Sequence, residues 1–359
     1  MNHFSELSYI LLNSLDWNKA RIACLLQILT SLFKVRTVNL TQIASAFQTE
    51  ASEESSYRRI QRFFQKFSFD LSFIAVMVNK LFLMSEPAVL IMDRTNWKWG
   101  KRDINILMVS IEHFGIGIPI YWMVLNKGGS SSFSERTQVL KKVLDILEIK
   151  NIKCLLADRE FIGDEWFKFL IKENIPFIIR VKSCFLVEGI YKNSRIPINR
   201  LIKKKGRKAQ LLHFPVKLWS NDLFASLEFR KTAKEPLIVV SNQQEFHSLN
   251  MYKWRWGIET FFGCLKSRGF RLEDTHMTSP AKIEKLLFIL AIAFCYAYKK
   301  GELQSKLRSI KIKTHKRRQK SIFRLGLDLI RRAFFSNFKR LDPYFSLIEF
   351  FDIPLKEAA

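Results

Sequence analysis

Acidic residues are scarce in this chain of 359 residues, which has 33 Asp and Glu against 59 Lys and Arg. The formal net charge is +26, whereas solubility needs a net charge of only about 2 to 8. A surface this basic attracts polyanions far more strongly than the binding of ordinary metabolites requires. The composition therefore favours nucleic acid as the partner, and a basic surface kept only for solubility is the weaker alternative.

Paired cysteines are also missing. The five cysteines form no CxxC pair, and the six histidines do not cluster with them. The cysteines are Cys24, Cys154, Cys184, Cys264 and Cys295. This scatter argues against a disulfide framework and against a zinc site, and it fits a reducing cytoplasm.

Long hydrophobic runs are absent too. The longest apolar stretch, residues 286–298, is too short to span a bilayer. The N-terminus carries the acidic residue Glu6 and polar residues where a signal peptide would have a basic and then an apolar region. We therefore expect a soluble intracellular protein without a membrane partner.

Two short helices are predicted near the N-terminus. Residues 40–47 place apolar side chains on one helical stripe, with Asn39 available as the N-cap. A second helical pattern covers residues 57–67, just after Ser55 and Ser56. Basic side chains fill the rest of its surface, among them Arg58, Arg59 and Arg62. The pair suggests a helix-turn-helix-like DNA-binding unit that uses these arginines, and an ordinary helical hairpin with a solvated basic face is an equal alternative.

From residue 88 the sequence consists of short apolar runs. Three strands are predicted first, followed by a helix, a strand, a helix and a strand. Residues 183–235 then alternate in polarity, which indicates an inserted, mostly β segment. Helical patterns return over 249–266 and 280–298. The sequence therefore predicts an α/β fold.

Two aspartates close predicted strands. Asp93 ends "AVLIMD" and Asp158 ends "IKCLLAD", so both are expected where loops begin and side chains converge on a crevice. Taken singly, each is more often a turn former or a helix N-cap.

A third carboxylate lies in the segment "MYKWRWGIETFFGCLK", residues 251–266. At 100° per residue, one sector of about 60° holds four polar residues. They are Tyr252, Arg255, Glu259 and Lys266. The opposite sector is apolar and contains Trp254, Ile258, Phe261 and Leu265. The plain alternative is an amphipathic helix whose Arg255–Glu259 pair contributes a few tenths of a kcal/mol.

The spacing Tyr252-x2-Arg255-x3-Glu259-x6-Lys266 resembles the YREK signature of DDE-type insertion-sequence transposases. The sequences "DRTNW" at Asp93 and "ADREFIG" at Asp158 resemble the two aspartate motifs of the same family. The resemblance covers roughly residues 88–270.

This resemblance implies a ribonuclease H-like catalytic core with a β-rich insertion, between a helical N-terminal DNA-binding region and a helical, basic C-terminal region. The expected segments are 1–85 for DNA binding, 86–182 and 237–300 for the two parts of the core, 183–236 for the insertion and 301–359 for the C-terminal region. Residues 321–359 suit either packing on the core or a contact between protomers, and the sequence does not decide between them.

By the same resemblance, Asp93, Asp158 and Glu259 are the catalytic residues and the metal ligands, with Mg²⁺ as cofactor and Mn²⁺ as a substitute. Carboxylate oxygens suit Mg²⁺, and two such ions about 3.5 to 4 Å apart can share the activation of water and the stabilisation of the leaving oxygen. Three clustered acids without a metal would repel one another.

The remaining signature residues, Tyr252, Arg255 and Lys266, are expected to contact DNA phosphates. Trp97, Trp254 and Trp256 could stack on an unpaired base, but burial in the core is the favoured interpretation because Trp is usually buried.

The function that the resemblance implies is a transposase that binds terminal inverted repeats in double-stranded DNA, cleaves at the ends and joins the 3′-OH groups to target DNA. A homodimer would hold two paired ends, in the cytoplasm and at the nucleoid of a prokaryotic host. Two alternatives stay open: a structure-directed nuclease of the same fold, and a non-catalytic DNA-binding regulator derived from a transposase.

Overall fold

A computed structural model of the protein describes residues 15, 17–67, 70–82, 87–189, 192–201, 211–228, 236–244 and 248–335. The described chain forms two compact units. The first consists of described residues within Met1–Leu83, Trp99–Arg102 and Phe262–Ala359, and the second of those within Met84–Lys98 and Asp103–Phe261.

A mixed sheet dominates the second unit. Its strands are β1 (Ala88–Trp99), β2 (Arg102–His113), β3 (Ile116–Leu125), β4 (Ile152–Ala157), β5 (Phe177–Arg180), β6 (Leu186–Gly189), β7 (Lys192–Pro197), β8 (Leu211–Leu218), β9 (Asn221–Glu228) and β10 (Leu237–Ser241). Over the described ranges they form one ten-stranded sheet in the order β3-β2-β1-β4-β5-β10-β9-β8-β6-β7.

The first five strands have the predicted order and connections. Strands β1, β4 and β5 are parallel, while β2 and β3 pair antiparallel. Helix α5 (Phe133–Leu144) connects β3 to β4, and α6 (Asp164–Lys172) connects β4 to β5. The predicted α/β class is confirmed, and this arrangement is consistent with the ribonuclease H-like core.

Burial explains why these short runs become central strands. The β1 residues Ala88–Met92, which pair with β4, are buried throughout, and β4 is apolar along nearly its whole length. Near-continuous apolar runs are typical of parallel strands that are covered on both faces. The packed centre of the sheet gives a fixed base to the side chains just beyond the paired part of β1 and β4.

The segment predicted as an insertion contains the described strands β6, β7, β8 and β9. They extend the sheet because β10 pairs antiparallel with both β5 and β9. The lysine-rich sequence 203–208 lies outside the described residues.

Helices make up the first unit. They are α1 (Lys19–Val35), α2 (Leu40–Ser45), α3 (Glu53–Lys66), α4 (Ser72–Leu81), α9 (Pro280–Leu307) and α10 (Ile322–Phe335). None of the helices in the described ranges has the length and apolar character needed to cross a membrane.

The two helices predicted near the N-terminus are present as α2 and α3. The side chain of Asn39 accepts hydrogen bonds from the first turn of α2, as expected for the N-cap. Helix α3 begins earlier than the pattern indicated, because Ser52 caps it and Glu53 and Glu54 occupy its first turn. Acidic residues there are stabilised by the positive end of the helix dipole.

The backbones of α9 and α10 touch at two glycines. A Cβ atom on Gly326 would lie 1.8 Å from the carbonyl oxygen of Ala297, and one on Gly301 would lie 1.9 Å from that of Ile322. The described part of the C-terminal segment therefore packs against α9 within its own unit. The apolar sequence at 344–351 lies outside the described residues.

We expect Gly326→Ala to destabilise the protein by about 1 to 3 kcal/mol, the usual cost of overpacking. Alanine favours helices by about 1 kcal/mol over glycine, but the new methyl group would meet backbone atoms that cannot turn aside. Chemical denaturation measures the change. Lys306→Ala, at an exposed position of α9, is the control and should unfold like the wild type. Equal stability of Gly326→Ala and wild type would contradict the close contact.

Candidate active site

Asp93 lies within β1 and not at its end, so its predicted position was wrong. The strand continues to Trp99 and forms a hairpin with β2 around Gly100, whose φ is +57°. Asp93 nevertheless follows Met92, the last residue of β1 that pairs with β4. Its carboxylate therefore lies where the parallel pairing stops.

Asp158 directly follows β4, as predicted. Its Oδ1 accepts a hydrogen bond of 2.8 Å from the backbone N–H of Glu160. Its charge also raises the pKa of Asp93, so the two aspartates interact across the end of the β1–β4 pair.

The segment that carries Glu259 is not one continuous helix. Helix α7 (Ser248–Tyr252) leads into a 3₁₀ turn (Lys253–Arg255), and α8 (Trp256–Leu265) follows. A 3₁₀ turn has about 3.0 residues per turn in place of 3.6, so the angles expected before Trp256 do not apply.

This break changes which side chains are buried. Tyr252 and Arg255 are 3% and 6% exposed, although both were expected on the polar surface. Trp254 and Trp256 are 38% and 57% exposed, so the expectation that they lie in the core was wrong. The same expectation is confirmed for Trp97, which is buried.

Within α8 the predicted apolar face is correct. Ile258, Phe261 and Leu265 are buried. Gly257 lets the start of α8 lie against β3, since a Cβ atom there would be 3.0 Å from the backbone nitrogen of Gly117. Glu259 is therefore held on a helix that rests directly on the sheet.

Arg255 connects two of the three predicted catalytic carboxylates. Its Nη1 donates to Asp93 Oδ2 at 2.9 Å, and its Nη2 donates to Glu259 Oε1 at 2.6 Å. The guanidinium carbon lies 4.8 Å from the ring centroid of Trp256. The structure thus brings Asp93 and Glu259 to the same cation.

Arg255 does not fully offset the burial of Asp93. Burial raises the pKa of the Asp93 carboxyl to about 7, and the charges of Asp158 and Glu160 act in the same direction. Arg255 and the N–H of Arg94 lower the pKa but do not cancel these effects. A carboxylate in such a place would be stabilised by a further positive charge.

The donor chemistry fits a divalent cation. Asp93, Asp158 and Glu259 supply carboxylate oxygens, which Mg²⁺ prefers, and the buried Asp93 needs added positive charge. In the part of the chain that the structure describes, no group of three or more His, Cys, Asp or Glu side chains is arranged to hold a metal ion. Convergence of all three acids on one metal site therefore stays a prediction.

The expected DNA contacts have varied surroundings. Tyr252 is buried, and burial raises the pKa of its hydroxyl to about 12, so the hydroxyl stays protonated. Lys266 forms an ion pair of 2.8 Å with Glu273. Arg58 and Arg62 are exposed on α3, whereas Arg59 donates to the carbonyl oxygen of Ala20.

Sequence reasoning missed two charged residues beside the aspartates. Arg94 follows Asp93, and Glu160 lies two residues after Asp158; their side chains form an ion pair. Both stand inside the sequences "DRTNW" and "ADREFIG", so the motifs contained the signal.

The family is decided by comparison with known domains. The model of the transposase DDE domain matches residues 84–296, which is more than half of the chain. The chain belongs to the transposase DDE domain family. This match confirms the resemblance to DDE-type insertion-sequence transposases, enzymes that act on DNA and generally use divalent metals.

Other comparisons add little. No curated protein matches this chain. Among solved structures, endonuclease V from Bacillus subtilis is similar over 68% of this transposase and 94% of its own chain, at 9% sequence identity and a TM-score of 0.24. A likeness this weak supports no statement about the transposase.

Proposed function

We propose that this transposase binds the terminal inverted repeats of a mobile element, cleaves at the ends and joins the freed 3′-OH groups to target DNA. The observation that carries the proposal is the grouping of Asp93, Arg255 and Glu259 beside Asp158, inside the matched domain. A homodimer that pairs two ends, working at the nucleoid in the cytoplasm of a prokaryotic host, completes the proposal.

Asp93, Asp158 and Glu259 would hold Mg²⁺, with Mn²⁺ as a substitute. A bound divalent cation activates water and stabilises the leaving oxygen of a phosphodiester. The three carboxylates would bind and orient this cation. Asp93 is buried, which keeps competing water away from part of the site.

We propose that Arg255 changes partners during DNA cleavage. Two of the five N–H donors of its guanidinium bond to Asp93 and Glu259, and the side chain is buried, so in this proposal it turns toward a DNA phosphate by releasing at least one carboxylate. Release would also free a carboxylate oxygen for a metal. The ring of Tyr252, 5.9 Å from the guanidinium carbon, supports Arg255 from the buried side. The proposed phosphate contacts are therefore Arg255 and Lys266 first, with Tyr252 behind them.

A labelled duplex tests the proposal. The DNA that flanks the coding sequence supplies the repeats, and the full chain is incubated with this duplex, target plasmid and Mg²⁺ or Mn²⁺. Cleavage at the repeat end followed by joined product is the expected result. Repeat-independent cleavage without joining would favour the structure-directed nuclease. Binding without cleavage in either metal, beside a transposase known to be competent, would favour the regulator.

Arg58 and Arg62 are proposed to contact phosphates of the repeat. We expect the double variant Arg58→Ala/Arg62→Ala to bind repeat DNA more weakly and with a shallower salt dependence. Each lost phosphate contact lowers the slope of log K against log salt by about 0.9. Gel shifts at several salt concentrations measure this slope. The full chain is used because α3 packs within the first unit, where Lys285 donates to the carbonyl oxygen of Phe64.

The matched control is Lys168→Ala/Lys172→Ala, which removes two exposed charges from α6. An unchanged slope in the arginine variant, or an equal loss in both variants, would remove the assigned role. Arg59 belongs to the same proposed surface, but its hydrogen bond to Ala20 makes its substitution a test of packing as well.

A further inference from the structure

Arg94 holds Glu160 with a forked ion pair. Its Nε donates to Glu160 Oε1, and its Nη2 donates to Oε2 at 2.7 Å. Its Nη1 donates to Asn105 Oδ1 at 2.7 Å and to the carbonyl oxygen of Gly129. Two parallel bonds between guanidinium and carboxylate fix distance and direction better than a single bond.

Glu160 is also fixed through its backbone. Its carbonyl oxygen accepts from Nη2 of Arg136 at 2.9 Å. Arg136 is 6% exposed and also donates to the carbonyl oxygens of Ser131 and Ile162. The loop after β4 is therefore tied to the start of α5 by a buried cation.

The same two residues orient the aspartates. The backbone N–H of Arg94 donates to Asp93 Oδ1 at 2.7 Å, and the backbone N–H of Glu160 donates to Asp158 Oδ1 at 2.8 Å. Arg94 thus holds Asp93, and Glu160 holds Asp158, while the side chains of Arg94 and Glu160 are bonded to each other. Both oxygens of Glu160 are engaged by Arg94, which leaves Glu160 poorly suited to act as a base or a metal ligand itself.

We propose that Arg94 and Glu160 form a positioning clamp that sets the separation and orientation of Asp93 and Asp158 for divalent-cation binding. The inference rests on the proposed function, because it assumes that these aspartates are metal ligands. Partners of metal ligands typically change metal affinity about 10- to 100-fold when they are lost.

Two mild variants test the clamp. Arg94→Lys keeps the charge but loses the fork, and Glu160→Gln keeps the shape but loses the charge. For both we expect Mn²⁺ affinity of the complex with repeat DNA, measured by calorimetry, to fall about 10- to 100-fold. Cleavage should need correspondingly more Mn²⁺ and recover in excess metal, while affinity for repeat DNA stays unchanged.

A double variant separates the clamp from a general loss of stability. In the Glu160→Gln background, Arg94→Lys should add little further loss of Mn²⁺ affinity, because the bond is already broken. Arg324→Lys is the matched control, since Arg324 pairs with Asp328 at 2.9 Å within α10 and should leave Mn²⁺ affinity unchanged. If one variant fails to fold, the other still carries the test, because the clamp predicts the same shift for both.

Wild-type Mn²⁺ affinity in a folded Arg94→Lys or Glu160→Gln variant would overturn the clamp, even if thermal stability falls. Failure of the wild type itself to bind Mn²⁺ or to cleave repeat DNA would instead contradict the proposed function. The two failures are therefore distinguishable in one set of titrations.

Discussion

Asp93→Asn, Asp158→Asn and Glu259→Gln are each expected to abolish nicking and joining of repeat-end DNA, while binding to the repeat survives. Each amide keeps the shape of the side chain but removes the negative charge that metal binding requires. Loss of one well-placed electrostatic group can slow an enzyme by about 10² to 10³-fold, and loss of a metal ligand should reach at least the upper end of that range. Binding could even tighten, because the acidic site would repel phosphate less.

The measurement uses labelled repeat DNA with Mg²⁺, Mn²⁺ or a chelator, with binding read by gel shift and cleavage by product length. Asp145→Asn is the control, since this exposed residue at the end of α5 pairs with Lys142 on the protein surface. A variant of Asp93, Asp158 or Glu259 that cuts at the wild-type rate would show that the replaced residue is not a metal ligand.

The core strands were predictable because parallel strands that are buried on both faces have nearly uninterrupted apolar sequences. The same logic located Asp158, which follows β4 directly. It misplaced Asp93, because the part of β1 beyond Met92 is mostly polar and is kept extended by its hairpin with β2. When one face of a hairpin is exposed, its strands have no uninterrupted apolar run, so the sequence does not show where they end.

The surroundings of Arg255 were not predictable from helix periodicity. A single 3₁₀ turn before Trp256 rotates the residues that precede it, so Tyr252 and Arg255 are buried and Trp254 is exposed. The pair between Arg94 and Glu160 was also missed: both residues stand inside the aspartate motifs, but they are 66 positions apart and look like solvated charges when read singly. In both cases a contact between distant segments decided the role of a residue.

Arg255→Ala is expected to destabilise the metal-free protein by about 3 to 5 kcal/mol at pH 8, the usual cost of removing one partner from a buried ion pair. Helix periodicity placed Arg255 on a polar surface, where its loss would leave the fold intact, but Arg255 is buried and Asp93 would lose its main counter-charge. Cleavage should fall roughly tenfold to a hundredfold, in keeping with about 1.5 to 3 kcal/mol for a charge-assisted bond to phosphate.

The pH dependence follows from the raised pKa of Asp93, which is about 7 because of burial. The folded state holds a proton on Asp93 that the unfolded state has lost, so stability from this group falls as pH rises toward 7. Without Arg255 the folded pKa rises further, and the fall continues above pH 7. The difference between variant and wild type should therefore be larger at pH 8 than at pH 6.

Urea unfolding in chelator at both pH values measures this difference. Adding Asp93→Asn should shrink the cost of Arg255→Ala, because the amide leaves no buried charge to compensate. Lys266→Ala is the control: its pair with Glu273 is partly exposed and should contribute only about 0.2 to 1 kcal/mol. If Arg255→Ala lowers the free energy of unfolding at pH 8 no more than Lys266→Ala does, the buried ion pair does not stabilise the site. Arg255 could then bind DNA without first breaking its bonds to Asp93 and Glu259.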